Sequence, residues 1–591
     1  MKPFWKVVFG GCLGTLLAII VLNLIFFGII GSAVSSLSGK ANQQPVIPKN
    51  AILRIDGSSP ISERSKESFS FDLMRVSPNM ASTVSILDAI RALEAAAVDP
   101  QIKFVYLKPD ELNMGTALSE ELRAALSKFR ESGKPVISYS QSLSSGGYYL
   151  ASVSDKVILN TYGDCSISGM NTQLMYYKDL IDFLGVDVQL IRHGKYKSAG
   201  EPYIKSEMSK ENREQYEKLF GTVWGAIADA VAGSRDFTAE EFDTWINELA
   251  ISDAPAAKEK GLVDELWFDD QVRDYFCTLC GVKDRKDLKY VSLADYAKAK
   301  VRTNLRAKDK IAVIYADGEI VMDDQGDGNI GNNFAKEIVQ VREDPAVKAV
   351  VFRVNSPGGS VQAAAAIERE IKLLQENGKP VVASYGGYAA SGGYWISCCA
   401  DKIYSDKTTL TGSIGVFGLV PSFGRALKKN LHLNVYEVGT HKHGRMLSGM
   451  TPLDAEQEAT MQKHIDGIYE DFVGHVANGR GMTAEAVDEI AQGRVWAGGD
   501  AIDIGLVDEL GGLEDAIRYA ASMAGIENYR LVEYPAVTSM YEQLLSSVQD
   551  QGNPQDVKAD LPAMLQRTGN WLLSLQGPEV VARMDNLVIC F

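Results

Sequence analysis

"KAVVFRVNSPGGSVQAAAAIEREIKLLQENGKPVVASY", Lys348 to Tyr385, is the stretch that decides the fold. Its opening, "KAVVFRV", is a continuous apolar run of strand type. From Ala363 the period changes. Ile367, Ile371, Leu373 and Leu374 form an apolar helix face, closed by Gly378 and Pro380. "VVASY" is the next strand. Strand, helix, strand at this spacing is a βαβ unit with parallel strands. The surrounding chain is therefore α/β.

The unit occurs twice. "NAILRIDG" (Asn50 to Gly57) matches "KIAVIYADG" (Lys310 to Gly318), and "DPQIKFVYLK" (Asp99 to Lys108) matches "DPAVKAVVFR" (Asp344 to Arg353). "GKPVIS" (Gly133 to Ser138) matches "GKPVVAS" (Gly378 to Ser384), "SDKVIL" matches "ADKIYS" at Asp155 and Asp401, and "GLVDEL" recurs at Gly261 and Gly505. From Asp99 onward these pairs are separated by 245, 245, 246 and 244 residues. Conserved order and spacing of this kind mark an internal duplication.

The 591 residues are 46% hydrophobic and 23% charged, the composition of a folded protein. A net charge of −16 argues against a nucleic-acid surface, and none is expected as a partner. Cys277 and Cys280 form a lone C-x-x-C with no second pair at zinc spacing, and no H-E-x-x-H occurs, so neither metal nor cofactor is expected. Val7 to Ile30 carries no charge and is long enough to cross a bilayer. Lys2 and Lys6 precede it, which favours a cytoplasmic N-terminus and an uncleaved anchor. The expected organisation is a transmembrane anchor over 1–31, a linker over 32–49, a first α/β repeat over 50–300, a second over 301–544, and a tail over 545–591 for oligomer contacts.

Two turns of the second repeat carry chemistry. In "RVNSPGGSV" (Arg353 to Val361) a strand ends before Pro357 and two glycines, a turn whose N–H groups can face an oxyanion. In "YAASGGYWIS" (Tyr388 to Ser397) Ser391 stands at a sharp junction before Gly392 and Gly393. This is not the G-x-S-x-G elbow, since Ala389 holds the first glycine position. No histidine has an obvious claim to be the base. A desolvated lysine can serve instead, and residue type alone does not choose which.

"NSPGGSV", "AASGGYWIS", "TLTGSIGVFG" (Thr409 to Gly418) and "GKYKSAGEPY" (Gly194 to Tyr203) together resemble the bacterial signal peptide peptidase A family in its long, duplicated form. The resemblance spans nearly the whole chain. It implies two tandem domains of Clp protease/crotonase-like fold behind one N-terminal transmembrane helix. It implies a serine endopeptidase of the cytoplasmic (inner) membrane, with catalytic domains on the extracytoplasmic side. Such an enzyme degrades cleaved signal peptides and other apolar membrane-associated peptides, and the resemblance implies a homotetramer. Ser391 matches the family nucleophile, Lys197 the general base, and Ser413 a serine that orients the lysine. Gly392 and Gly359 (or Gly358) match the oxyanion hole. The dyad is then split, with the lysine from the first repeat and the serine from the second. The competing readings are a crotonase-like acyl-CoA enzyme and an inactive membrane scaffold on the same fold.

A vestige of a second dyad remains. Ser145, in "LSSGGYYLAS" (Leu143 to Ser152), stands where the first repeat's nucleophile would be, and Lys442 where the second repeat's lysine would be. The first repeat has "KPDELNMG" (Lys108 to Gly115) in place of the glycine turn. Asp110 and Glu111 there are expected to oppose an oxyanion, leaving this pair inactive.

Overall fold

The computed structural model describes residues 44–72, 77–322, 329–331, 333–536 and 580–583. The anchor expected over Val7 to Ile30 lies outside these. Among the described residues no helix is long and apolar enough to cross a membrane.

Besides two two-stranded ribbons between residues 61 and 85, the first repeat has the strands β1 (Ala51–Ile55), β2 (Ile102–Leu107), β3 (Val136–Ser144), β4 (Lys156–Ser166), β5 (Asp187–His193), β6 (Glu265–Leu266) and β7 (Lys289–Ser292). Six of them form one sheet in the order β6-β4-β3-β2-β1-β7, all parallel. β5 is missing from this sheet. The second repeat contributes β8 (Asp309–Asp317), β9 (Glu319–Ile320), β10 (Asn329–Ile330), β11 (Val347–Ser356), β12 (Gly358–Ser360), β13 (Val381–Ala390), β14 (Lys402–Ser405), β15 (Leu410–Gly412), β16 (Val416–Ser422), β17 (Val495–Ala497), β18 (Glu509–Leu510) and β19 (Tyr529–Tyr534). Its main sheet runs β17-β15-β13-β11-β8-β19, with β14 and β18 branching from β13. The helix following β12, Val361–Glu376, buries Ile367, Ile371 and Leu374 against this sheet. Gly378, at φ +79 in its first-repeat counterpart Gly133 and +75 here, turns the chain into β13.

A third sheet joins the repeats. Its order is β10-β9-β12-β20-β16-β5, where β20 is Val580–Arg583. β5 of the first repeat pairs antiparallel with β16 of the second along its whole length, from Val416 opposite His193 to Ser422 opposite Asp187. β20, from the C-terminal tail, pairs antiparallel with both β12 and β16 of its own chain. The rest of that tail lies outside the described residues.

The repeats are also locked by charge. After exposed Lys348 the run "KAVVFRV" is apolar except at Arg353, which is 1% exposed in β11. Its guanidinium donates to Glu63 Oε2 (2.8 Å) and Glu121 Oε1 (2.6 Å), both from the first repeat, and to Ser384 Oγ and the Tyr385 carbonyl. The other oxygen of Glu121 accepts the Leu513 N–H. A buried guanidinium is tolerated because each face has a partner. Apolar packing continues the joint. Tyr216, Leu219 and Val223 of the long helix Lys210–Ala232 share a core with Ala390, Leu410, Val495 and Ala497 of the second repeat.

Cys277 and Cys280 sit on the helix Asp269–Cys280 and are free thiols.

Candidate active site

β13 ends at Ala390, and Ser391 follows with φ 57° and ψ −117°. That backbone conformation is costly for any residue with a Cβ, and such strain concentrates at functional sites. It is held from both sides. The Ser391 N–H donates to the Gly412 carbonyl (2.8 Å), and its own carbonyl accepts the Trp395 N–H (2.9 Å). The helical turn Gly392–Trp395 then leads away, with Gly393 pressed onto the neighbouring turn. A Cβ at Gly393 would stand 2.5 Å from the Ser356 carbonyl oxygen. Only glycine allows the serine turn and the "NSPGG" turn to come this close.

Lys197 arrives from the other repeat. It lies in the loop between β5 and the short helix Glu201–Ile204, and is 1% exposed. Its Nζ is 2.7 Å from Ser391 Oγ, 3.0 Å from Ser413 Oγ and 3.0 Å from the Ser413 carbonyl. Ser391 and Ser413 are buried as deeply. Ser413 also has a positive φ, 51°, and its N–H donates to the Arg494 carbonyl (2.7 Å). That conformation is what turns both of its oxygens toward one amine.

Glycines of the second repeat grip the lysine. A Cβ at Gly493 would lie 2.6 Å from Lys197 Cβ, and one at Gly415 would lie 3.2 Å from its Cδ. Gly493 was not among the candidates read from sequence. Its "AQGRVW" context carries no catalytic signature, and its role appears only when the first repeat's loop is laid on it. His193 is no competing base. Its Nδ1 is 2.8 Å from Asp466 Oδ1, and its ring stacks on Tyr469.

Of the two expected oxyanion glycines near Pro357, Gly358 gives its N–H to Ser356 Oγ (3.2 Å). Gly359 lies in β12, in register with Ile320 on one side and Ala582 on the other.

The first repeat's counterpart is different in kind. Ser145 is the first residue of the helix Ser145–Ala151, and Ser144 is its unstrained N-cap at φ −86°. Ser145 Oγ donates to the Gly169 carbonyl and accepts the Ser168 N–H, each at 3.2 Å. Lys442 is exposed and paired with Glu456. The Asp110–Glu111 turn fills the place of the glycine turn and bonds neighbouring backbone N–H groups. Asp110 Oδ2 accepts the Gln141 N–H (2.7 Å), and Glu111 Oε2 accepts the Gly57 N–H (3.3 Å). Burial pushes the Asp110 carboxyl above the usual carboxylate range. Both carboxylates thus stay where the second repeat has its glycine turn, and each is tied to backbone N–H groups.

A family model described as "Peptidase family S49" matches residues 128–283 and 373–527, one stretch in each repeat. A "Clp protease" model matches residues 302–408. The chain belongs to peptidase family S49. "Protease 4" of Salmonella typhi is 33% identical, aligned over 96% of this chain and 94% of that one. "Protease 4" of Haemophilus influenzae is 30% identical over 93% of each. "Serine protease SPPA, chloroplastic" of Arabidopsis thaliana is 32% identical over 77% of this chain and 68% of its own. Among solved structures, a ClpP1 mutant of Listeria monocytogenes is similar over 35% of this chain and 94% of its own (19% identity, TM-score 0.22). This S49 peptidase is a serine protease with a duplicated, Clp-protease-like α/β fold.

Proposed function

We propose that the chain is a membrane-anchored endopeptidase that degrades cleaved signal peptides with a Ser391/Lys197 dyad. The observation that carries this reading is the 2.7 Å approach of Lys197 Nζ to Ser391 Oγ in a buried site beside two glycine turns. Burial works against the ammonium form of a lysine. A neutral amine has two N–H groups and one lone pair. The two Ser413 oxygens match the N–H groups, and the lone pair is left facing the Ser391 hydroxyl.

In the first step Nζ takes the hydroxyl proton as Oγ bonds to the scissile carbonyl carbon. The carbonyl oxygen becomes an oxyanion, for which the N–H groups of Gly392 and Gly359 are the donors. The Lys197 ammonium returns the proton to the departing amine as the C–N bond breaks, leaving an ester on Ser391. Water, losing a proton to the neutral Lys197, attacks that ester and frees the serine.

The slot between β12 and β16 supports extended binding of the peptide. β20 uses hydrogen-bonding edges on both sides of it. A substrate strand would take the same edges after β20 leaves. The apolar Val7 to Ile30 segment supports a single-pass anchor in the cytoplasmic membrane, with the repeats on the far side, where signal peptides are left in the bilayer.

Self-assembly is supported by the second repeat's counterpart of β5. Leu433–Val438 follows the helix Gly424–Leu431 as β5 follows Lys178–Leu184, yet it joins no sheet among the described residues and exposes Leu433, Val435, Tyr436 and Val438. A neighbouring copy's first repeat offers the counterpart of β16 in Gly169–Met175. Repeating that pairing head to tail gives a closed ring, in keeping with a homotetramer.

The test is degradation of a synthetic signal peptide in lipid vesicles by the full chain. The wild type should cleave it and label with a serine-reactive phosphonofluoridate, and Ser391→Ala should do neither. Cleavage by the Ala variant would overturn the reading.

A further inference from the structure

The motif "GKYKSAGEPY" contains a second charged residue that the dyad does not use. Glu201 is fully buried, one turn beyond the catalytic loop. Ser209 Oγ donates to both of its oxygens (2.7 and 2.8 Å), and Lys205 Nζ approaches at 3.5 Å. The Ser209 N–H donates to Oε2 (3.4 Å), and the charged partner that reaches the lysine is Arg192, whose Nη1 lies 3.4 Å from Glu201 Oε1 and donates to the Lys197 carbonyl at 2.6 Å. Arg192 stands on β5 opposite Phe417 of β16, and its own carbonyl accepts from Gln462 Nε2 (3.2 Å). One end of the clamp is thus pinned to the second repeat, which carries Ser391. The other end is fixed in the first helical turn after the lysine.

We infer that Arg192, held by buried Glu201, is a positioning residue that sets the reach of Lys197 toward Ser391. A lysine side chain has four rotatable bonds, so burial alone does not fix where its Nζ stands. Ser413 and Gly493 constrain the amine and Cβ. The Arg192 contact holds the backbone carbonyl, and so the direction in which the side chain leaves. Of the other charged groups around this loop, His193 pairs with Asp466, Arg494 with Glu214, and Lys195 Nζ lies 5.0 Å from the centre of the Tyr196 ring. This positioning role rests on Lys197 being the base.

The experiment uses the full chain and a peptide ester, with Glu201→Gln, Arg192→Met, Arg192→Lys and, as the control for the dyad itself, Lys197→Arg. Active sites are counted with the phosphonofluoridate. Misplacing a catalytic group by about 1 Å costs on the order of 100-fold. Glu201→Gln and Arg192→Met should therefore lower kcat per active site by about 10-fold to 100-fold with KM within about two-fold, since neither residue faces the substrate slot. Arg192→Lys should recover part of that loss. The rising limb of the pH profile supplies a readout that a merely structural role would not move. Removing the cation in Arg192→Met shifts it to higher pH, and removing the anion in Glu201→Gln shifts it to lower pH. Unchanged kcat per active site, or a limb that stays in place in both variants, overturns the inference. If Lys197→Arg keeps its activity, the dyad reading fails first. If Lys197→Arg is dead and the Arg192 and Glu201 variants behave as wild type, only the positioning role is lost.

Discussion

Lys197 Nζ and Ser391 Oγ lie 2.7 Å apart although 194 residues of chain separate them. The lysine is held by groups the other repeat supplies, and the serine by its own. Gly493, Gly415 and Ser413 of the second repeat bracket the lysine, while the loop that carries it is tied to β16 through β5. This distance is therefore a property of the joint between repeats.

Ser391→Ala should abolish peptide-ester turnover, by on the order of 10⁴-fold or more, with the fold intact. Ser391→Gly separates chemistry from strain. At φ 57° and ψ −117° a Cβ is costly by about 1–3 kcal/mol, and glycine relieves most of that. Thermal unfolding should show a higher Tm for the Gly variant than for the Ala variant, with neither active. Equal Tm values would mean that the serine turn stores no strain.

Lys197→Arg should be inactive, because guanidinium does not lose its proton in a protein. In the wild type, activity should rise with pH as the lysine deprotonates. Stopped assays of kcat/KM from pH 6 to pH 10 check both statements, and substantial turnover by the Arg variant would reassign the base.

Ser145→Ala and Lys442→Ala should each retain nearly full activity. Ser145 Oγ is bonded to Gly169 and Ser168, and Lys442 is solvent-exposed beside Glu456. The same ester assay decides this. A loss of about half in each variant would mean that a second site works.

Stability should fall with rising pH through the inter-repeat cluster. Burial first, then Glu121 and Glu120, hold the Asp406 carboxyl well above its ordinary value of 3.8, against the pull of Arg353. One of its oxygens, Oδ2, is buried without a partner. Above pH 3.8 the folded chain thus keeps a proton that the unfolded chain has lost, so stability declines until the folded carboxyl ionises too. Asp406→Asn removes that proton difference. Tm measured from pH 4 to pH 8 should decline less steeply in the variant, and parallel curves would remove Asp406 from the account.

Much of the fold was legible because it is local. The βαβ unit follows from a change of apolar period between Lys348 and Tyr385, and the duplication from preserved spacing. The serine turn was visible in its small residues. Its lysine was not, since no residue type marks a base that comes from another repeat, and only the family resemblance pointed to Lys197. The crossing of β5 into the joining sheet was also hidden, because a strand's periodicity does not name its partner. Arg353 passed as part of an apolar strand, as its carboxylates Glu63 and Glu121 lie in the other repeat. Glu201 stood in plain view within a quoted motif, yet its burial against Ser209 and Arg192 is a tertiary fact.

The departure of β5 from its own sheet sets a clock on the enzyme's birth. At about 5–20 residues per second, the 194 residues between the two dyad members take roughly 10 to 40 s to synthesise. For all of that time the emerging chain displays a lysine loop with no β16 to dock on and no serine to activate. A product stalled before Ser391 therefore carries no dyad. The pair can meet only once β16 of the second repeat has arrived and paired with β5.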